Sequence, residues 1–145
     1  MTRPARGTLR RAEGGNVAIE FALVFPMFLA LVFGTIEYGR LLWTREALQE
    51  TATVGARCMA LTQSACASGG SYNAANTTSY IQGVASHWGL TIPSGNITLN
   101  NNATCGGTTG FSAVLITTTF TSAVPRIVLL PAGGVTLNAS ACYPN

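Results

Sequence analysis

The chain has 145 residues, nearly half of them apolar, and only eight arginines and five glutamates produce its formal net charge of +3. Charged residues make up 9% of it, far below the roughly 25% of an average soluble domain. Arg3, Arg6, Arg10 and Arg11 stand against Glu13 near the start, and from Asn16 onward arginines and glutamates balance, so the basic excess belongs to an N-terminal tail and a nucleic-acid partner is not expected.

Residues 1–15 read as a short, basic cytoplasmic leader. Residues 17–36 are apolar apart from Glu20 and Thr35. Twenty residues rising about 1.5 Å each span about 30 Å, the thickness of a bilayer's hydrocarbon core. The upstream arginines orient the segment with its N-terminus inside. A carboxylate inside such a span is costly, so Glu20 demands an explanation. Pro26 is better tolerated in a membrane helix than in a soluble one.

The apolar run is longer than a secretory signal core, and Glu37, Arg40, Arg45, Glu46 and Glu50 follow where a cleavage site would stand. Leu41, Leu48, Ala52, Gly55 and Met59 form one stripe at helical period, with Glu46, Glu50, Thr53 and Arg57 on the other side. The pattern predicts one continuous helix over 16–61. Its membrane part covers about 17–36 and its amphipathic extension about 37–61. The stripe is expected to pack against the exported part of the chain, residues 62–145.

Residues 62–72 read as a loop from their Ser, Gly and Ala content. Asn73 is a suitable N-cap. Thr77, Ile81, Val84, Ala85 and Trp88 then share a helical face, and Gly89 supplies a stop, which predicts a second helix over 74–88. His87, near its end, reads as a solvated or hydrogen-bonded histidine. From Leu90 the composition turns to Thr, Asn, Gly and Val. Strands are predicted at 96–99, 111–121 and 135–142, forming an antiparallel sheet with its apolar face on the helices. The fold class is therefore α+β.

Residues 124–131 are apolar but bracketed by Pro125 and Pro131, which disfavours a central strand. They are expected to complete the core as a short helix or loop, or else to expose an apolar patch to a partner or to the membrane. Asn76, Asn96, Asn102 and Asn138 each begin an Asn-X-Ser/Thr triplet, as a Thr/Asn-rich composition produces by itself.

Cys58, Cys66, Cys105 and Cys142 all lie beyond the apolar run. An even count on one side of a membrane segment suggests two disulfides in an oxidising compartment. Of the three pairings, Cys58–Cys66 and Cys105–Cys142 are favoured because each closes a local loop. Zinc is not expected, since no CxxC pair exists and His87 has no partner at ligand spacing. No phosphate-cradling loop, HExxH or GxSxG occurs, and no cofactor is expected. Beyond Arg57 there is no Asp, Glu or Lys to carry a proton. No catalytic residue is assigned, and the chain is expected to be a structural or interaction protein rather than an enzyme.

Gly15, Asn16-Val-Ala-Ile and Glu20-Phe21, followed by an apolar helix, resemble the leader of type IV pilins and pseudopilins. More narrowly, Glu20-Phe-Ala-Leu-Val-Phe-Pro26, Phe33-Gly-Thr-Ile-Glu-Tyr-Gly-Arg40 and Glu46-Ala-Leu-Gln49 look like the TadE/TadG-like pilus-assembly proteins. The family pattern often has Glu-Tyr where this chain has Glu20-Phe21. The resemblance implies a pilin-like, minor subunit of a tight-adherence pilus in the bacterial inner membrane, its C-terminal domain periplasmic or carried into the extracellular pilus. It implies cleavage by a prepilin peptidase between Gly15 and Asn16. It also implies roles in pilus assembly, surface adhesion and biofilm formation. Partners would be that peptidase, other pilin or pseudopilin subunits, the inner-membrane assembly platform and the lipid bilayer. Physically, cutting there creates an ammonium one turn from Glu20, and this group can neutralise the carboxylate of a neighbouring subunit. The alternative is an uncut, single-pass membrane scaffold of the same secretion machinery.

Overall fold

A computed structural model describes residues 14–123 and 134–145. The predicted leader, apart from its last two residues, and the proline-bracketed segment 124–131 lie outside the described residues.

Helix α1 runs without interruption over Gly14–Ala60, 47 residues and about 70 Å, with Pro26 inside it. Its two halves differ in burial. Among residues 17–36 no side chain is buried. In the second half Leu48, Ala52, Gly55, Ala56 and Met59 are buried, while Glu46, Glu50, Thr53 and Arg57 face outward. The predicted stripe is therefore the packing face.

After α1 the chain makes a small antiparallel hairpin, β1 (Ala67–Ser68) and β2 (Ser71–Tyr72), inside the stretch expected to be only a loop. Gly69 and Gly70, with φ of +61° and +80°, give the two left-handed residues that a tight hairpin turn needs. The Gly-Gly signal was present in the sequence, but two-residue strands carry too little alternation to be read. Burial pushes the Tyr72 phenol pKa up from its ordinary value.

Helix α2 spans Ala74–His87. The Asn73 side chain accepts a bond from the Asn76 N–H, as its capping role requires. At the other end the Gly89 and Leu90 N–H groups bond Ser86 O and Ala85 O, a Schellman closure with Gly89 at φ +74°. Thr77, Ile81 and Ala85 are buried and Val84 half-buried, as the periodicity predicts. Trp88 departs from that prediction. It lies just past the last helical residue, 40% exposed, and its ring meets Trp43 of α1 edge-on.

Strands β3 (Ile97–Cys105), β4 (Thr108–Phe120) and β5 (Val135–Pro144) form an antiparallel sheet in the order β3-β4-β5. β3 extends well past the predicted end at Leu99. Its pairing is irregular between Asn100 and Ala103, where Asn100 Oδ1 accepts the Asn102 N–H. Three successive asparagines read as a turn, yet a bulge lets the strand resume beyond them.

The inward face carries Ile97, Ala103, Val114, Ile116, Phe120, Leu137 and Ala139, at the period of two that a half-buried sheet shows. It closes on α1 and α2 to form one core. Gln49 Nε2 also donates to Ser140 O at 2.9 Å, fastening α1 to edge strand β5. Both disulfides form as paired in the sequence analysis: Cys58–Cys66 joins the end of α1 to the β1 hairpin, and Cys105–Cys142 joins β3 to β5.

Candidate assembly site

The N-terminal half of α1 is apolar apart from Glu20 and Thr35, and none of its side chains over 17–36 is buried against the other described residues. Val17, Phe21, Leu23, Met27 and Leu31 are each more than 60% exposed. A helix of this kind is stable only in an apolar surrounding. By length and composition, α1 is the one helix among the described residues that could cross a membrane.

Glu20 sits inside this surface, exposed on its helix. Gly15 and Asn16 lie in the first turn of α1, so Glu20 is four residues, one helical turn, beyond Asn16. Among the described residues, Glu20 forms no ion pair within 4 Å.

The second feature lies where the apolar segment meets the folded domain. Glu37 is 4% exposed and its Oε1 accepts a bond from Arg40 Nη1 at 2.7 Å. Its other oxygen, Oε2, is buried without a hydrogen-bond partner. The Arg40 guanidinium sits 5.6 Å from the centre of the Phe120 ring, at the end of β4. One cation thus links the exit of the apolar helix to the sheet.

In the sequence Glu37 and Arg40 stand as polar residues after the apolar run and as part of the family-like Phe33–Arg40 motif, with no pairing assigned between them. A signal was available. Glu37 precedes Leu41 by four residues and Leu48 by eleven, which places it on the buried stripe. Arg40, at i+3, is its natural helical partner.

The four cysteines come together as two pairs at the far end of the domain, away from Glu20. His87 lies exposed at the last residue of α2. No group of three or more metal-ligating side chains forms among the described residues.

The length of α1 is matched by a family comparison. Residues 15–57 fit the family model described as TadE-like protein. Over these residues, less than half of its length, the chain is similar to that family. The TadE-like stretch begins at Gly15, takes in Glu20, Pro26 and the Glu37–Arg40 pair, and stops one residue before Cys58. It coincides with α1 almost end to end and leaves α2 and the sheet outside. No curated protein and no solved structure matches the chain.

Proposed function

We propose that the protein is a minor pilin or pseudopilin of a tight-adherence pilus, cut between Gly15 and Asn16 and built into or onto the fibre through α1. The observation that carries this reading is Glu20. It is the one acid in an apolar half-helix with no buried side chain over 17–36, one turn beyond the proposed new N-terminus. An ammonium created at Asn16 of one subunit and the Glu20 carboxylate of its neighbour would neutralise each other in an apolar setting. Left apart there, each would be costly.

Gly14 and Gly15 support the cut site physically. Glycine is disfavoured in a helix by about 1 kcal/mol relative to alanine, so the first turn of α1 is cheap to unwind for a peptidase. The domain beyond Leu61, with no Asp, Glu or Lys, suits a passive payload rather than a catalyst. In this reading the N-terminus faces the cytoplasm, the disulfide-braced domain is periplasmic, and the protein acts in pilus assembly, surface adhesion and biofilm formation.

The test is mass spectrometry of the protein from cell membranes and from sheared pili. A mature chain starting at Asn16 is expected in both. A chain that keeps residues 1–15 in both fractions overturns the processing step and leaves an uncut membrane scaffold of the same machinery.

A further inference from the structure

The chain contains two tryptophans, Trp43 and Trp88. They come from different elements, yet their rings meet edge-on with centroids 5.6 Å apart. The pair is not buried: Trp43 is 60% exposed and Trp88 40%. Together with Glu46, Ala47, Gln49 and Glu50 they line a surface groove of about 470 Å³.

The position of this pair along α1 is informative. Trp43 follows Ile36, the end of the apolar run, by seven residues, about 10 Å along the helix. Helical side chains lean toward the N-terminus, here toward the apolar half. The polar layer of a bilayer adds about 5–7 Å on each side of the hydrocarbon core. The Trp43 indole therefore falls at headgroup level, and the ring contact brings Trp88 to the same level.

The helix surface between the apolar run and Trp43 agrees. Tyr38 is 64% exposed and Leu42 40%. The charges in this interval are those of Glu37, which is buried, and Arg40, which is paired to it and lies over Phe120. Exposed aromatic residues at this depth are the pattern of a membrane-interface belt. The Glu46 carboxylate on the same groove, one turn from Trp43, adds a second property. Rings and an acid together favour a cation, and an ammonium headgroup is the cation a bilayer surface offers.

We propose that Trp43 and Trp88, with Glu46, seat the exported domain on the bilayer surface by holding the ammonium groups of phospholipid headgroups. This rests on α1 spanning the membrane. It adds that the domain lies against the bilayer before assembly and must leave it to enter a fibre.

The experiment uses the full chain reconstituted in vesicles of phosphatidylethanolamine and phosphatidylcholine. Tryptophan emission then reports this site alone, and Trp43→Phe and Trp88→Phe variants report each ring separately. Lipids brominated high on the acyl chain are expected to quench both rings at least about twofold more than lipids brominated near the bilayer centre, as headgroup-level rings require. Replacing the amine lipids by phosphatidylglycerol should weaken the quenching, and Glu46→Gln should erase that difference. Absence of quenching in protein that resists alkaline extraction overturns the proposal and leaves the spanning helix standing. Emission that changes with protein density but not with brominated lipid assigns the groove to a second copy and overturns it too. Quenching that is indifferent to headgroup overturns the ammonium seat. Extraction of the chain by alkali overturns the spanning helix and the proposal together.

Discussion

Gly55 of α1 faces Ile81 of α2 so closely that a Cβ at position 55 would lie 2.7 Å from Ile81 Cγ1. Ile81 is fully buried and has Val114 of β4 as a near neighbour of the same spot. The absence of a side chain at 55 therefore sets how near the two helices approach. Gly55→Val is expected to force them apart, at a cost on the order of 1–3 kcal/mol from overpacking. Gly83→Ala is the control, because a Cβ there meets nothing. It should be neutral or stabilising by up to about 1 kcal/mol through helix propensity. Thermal unfolding of the purified chain in detergent measures both. Equal stability of Gly55→Val and the parent would show that the helices are not held at this distance.

The Glu37–Arg40 pair supports a second prediction. Arg40→Met removes the charge partner and leaves the buried Glu37 carboxyl with no hydrogen bond. The cost is expected at about 1–3 kcal/mol, the penalty for an unsatisfied buried group. Adding Glu37→Met should recover most of the loss, because removing both members of a buried pair is much less harmful than removing one. A double-mutant cycle by chemical denaturation reads this directly, and simple additivity of the two substitutions would contradict the geometry.

The two disulfides differ in access. Cys58 and Cys66 are fully buried, whereas Cys142 is exposed and Cys105 half-buried. Thiol–disulfide exchange requires an approach to sulfur. Mild reductant on the folded protein should therefore open Cys105–Cys142 and leave Cys58–Cys66 intact. Alkylation followed by peptide mass spectrometry distinguishes the bridges. Prior reduction of Cys58–Cys66 would mean that the α1 end opens more readily than its packing implies.

The sequence revealed most about the elements with long-range periodicity. The α1 stripe from Leu41 to Met59 and the α2 face of Thr77, Ile81 and Ala85 were legible because helical burial repeats over many residues. The caps at Asn73 and Gly89 were legible because each answers a local backbone need. What escaped depended on contact between distant segments. Nothing local says that Trp88 turns from its helix face to meet Trp43, 45 positions earlier in the chain. Nor does the Asn100–Asn102 run announce that β3 bulges and continues. Glu37 escaped for another reason: an acid after an apolar run reads as its end, although its register places it inside the core.

The assembly reading is tested most sharply at Gly15 and Glu20. Gly15→Ala is expected to block processing, so that the mature band on a gel is replaced by the longer precursor. An unchanged mature band would move the cut site elsewhere. Glu20→Ala should leave membrane insertion unaffected, since removing an acid from an apolar span only eases insertion. It should nevertheless reduce incorporation into pili by at least about tenfold, equivalent to about 1.4 kcal/mol at the joint between subunits. Glu20→Asp keeps the charge one methylene farther from its partner and should fall between the two. Insertion is read by alkaline extraction and incorporation by blotting sheared pili, so loss of the joint is separable from loss of the protein. Full incorporation of Glu20→Ala would remove the ammonium–carboxylate pair as the force that sets register. The acid would then serve at the headgroups of an uncut anchor.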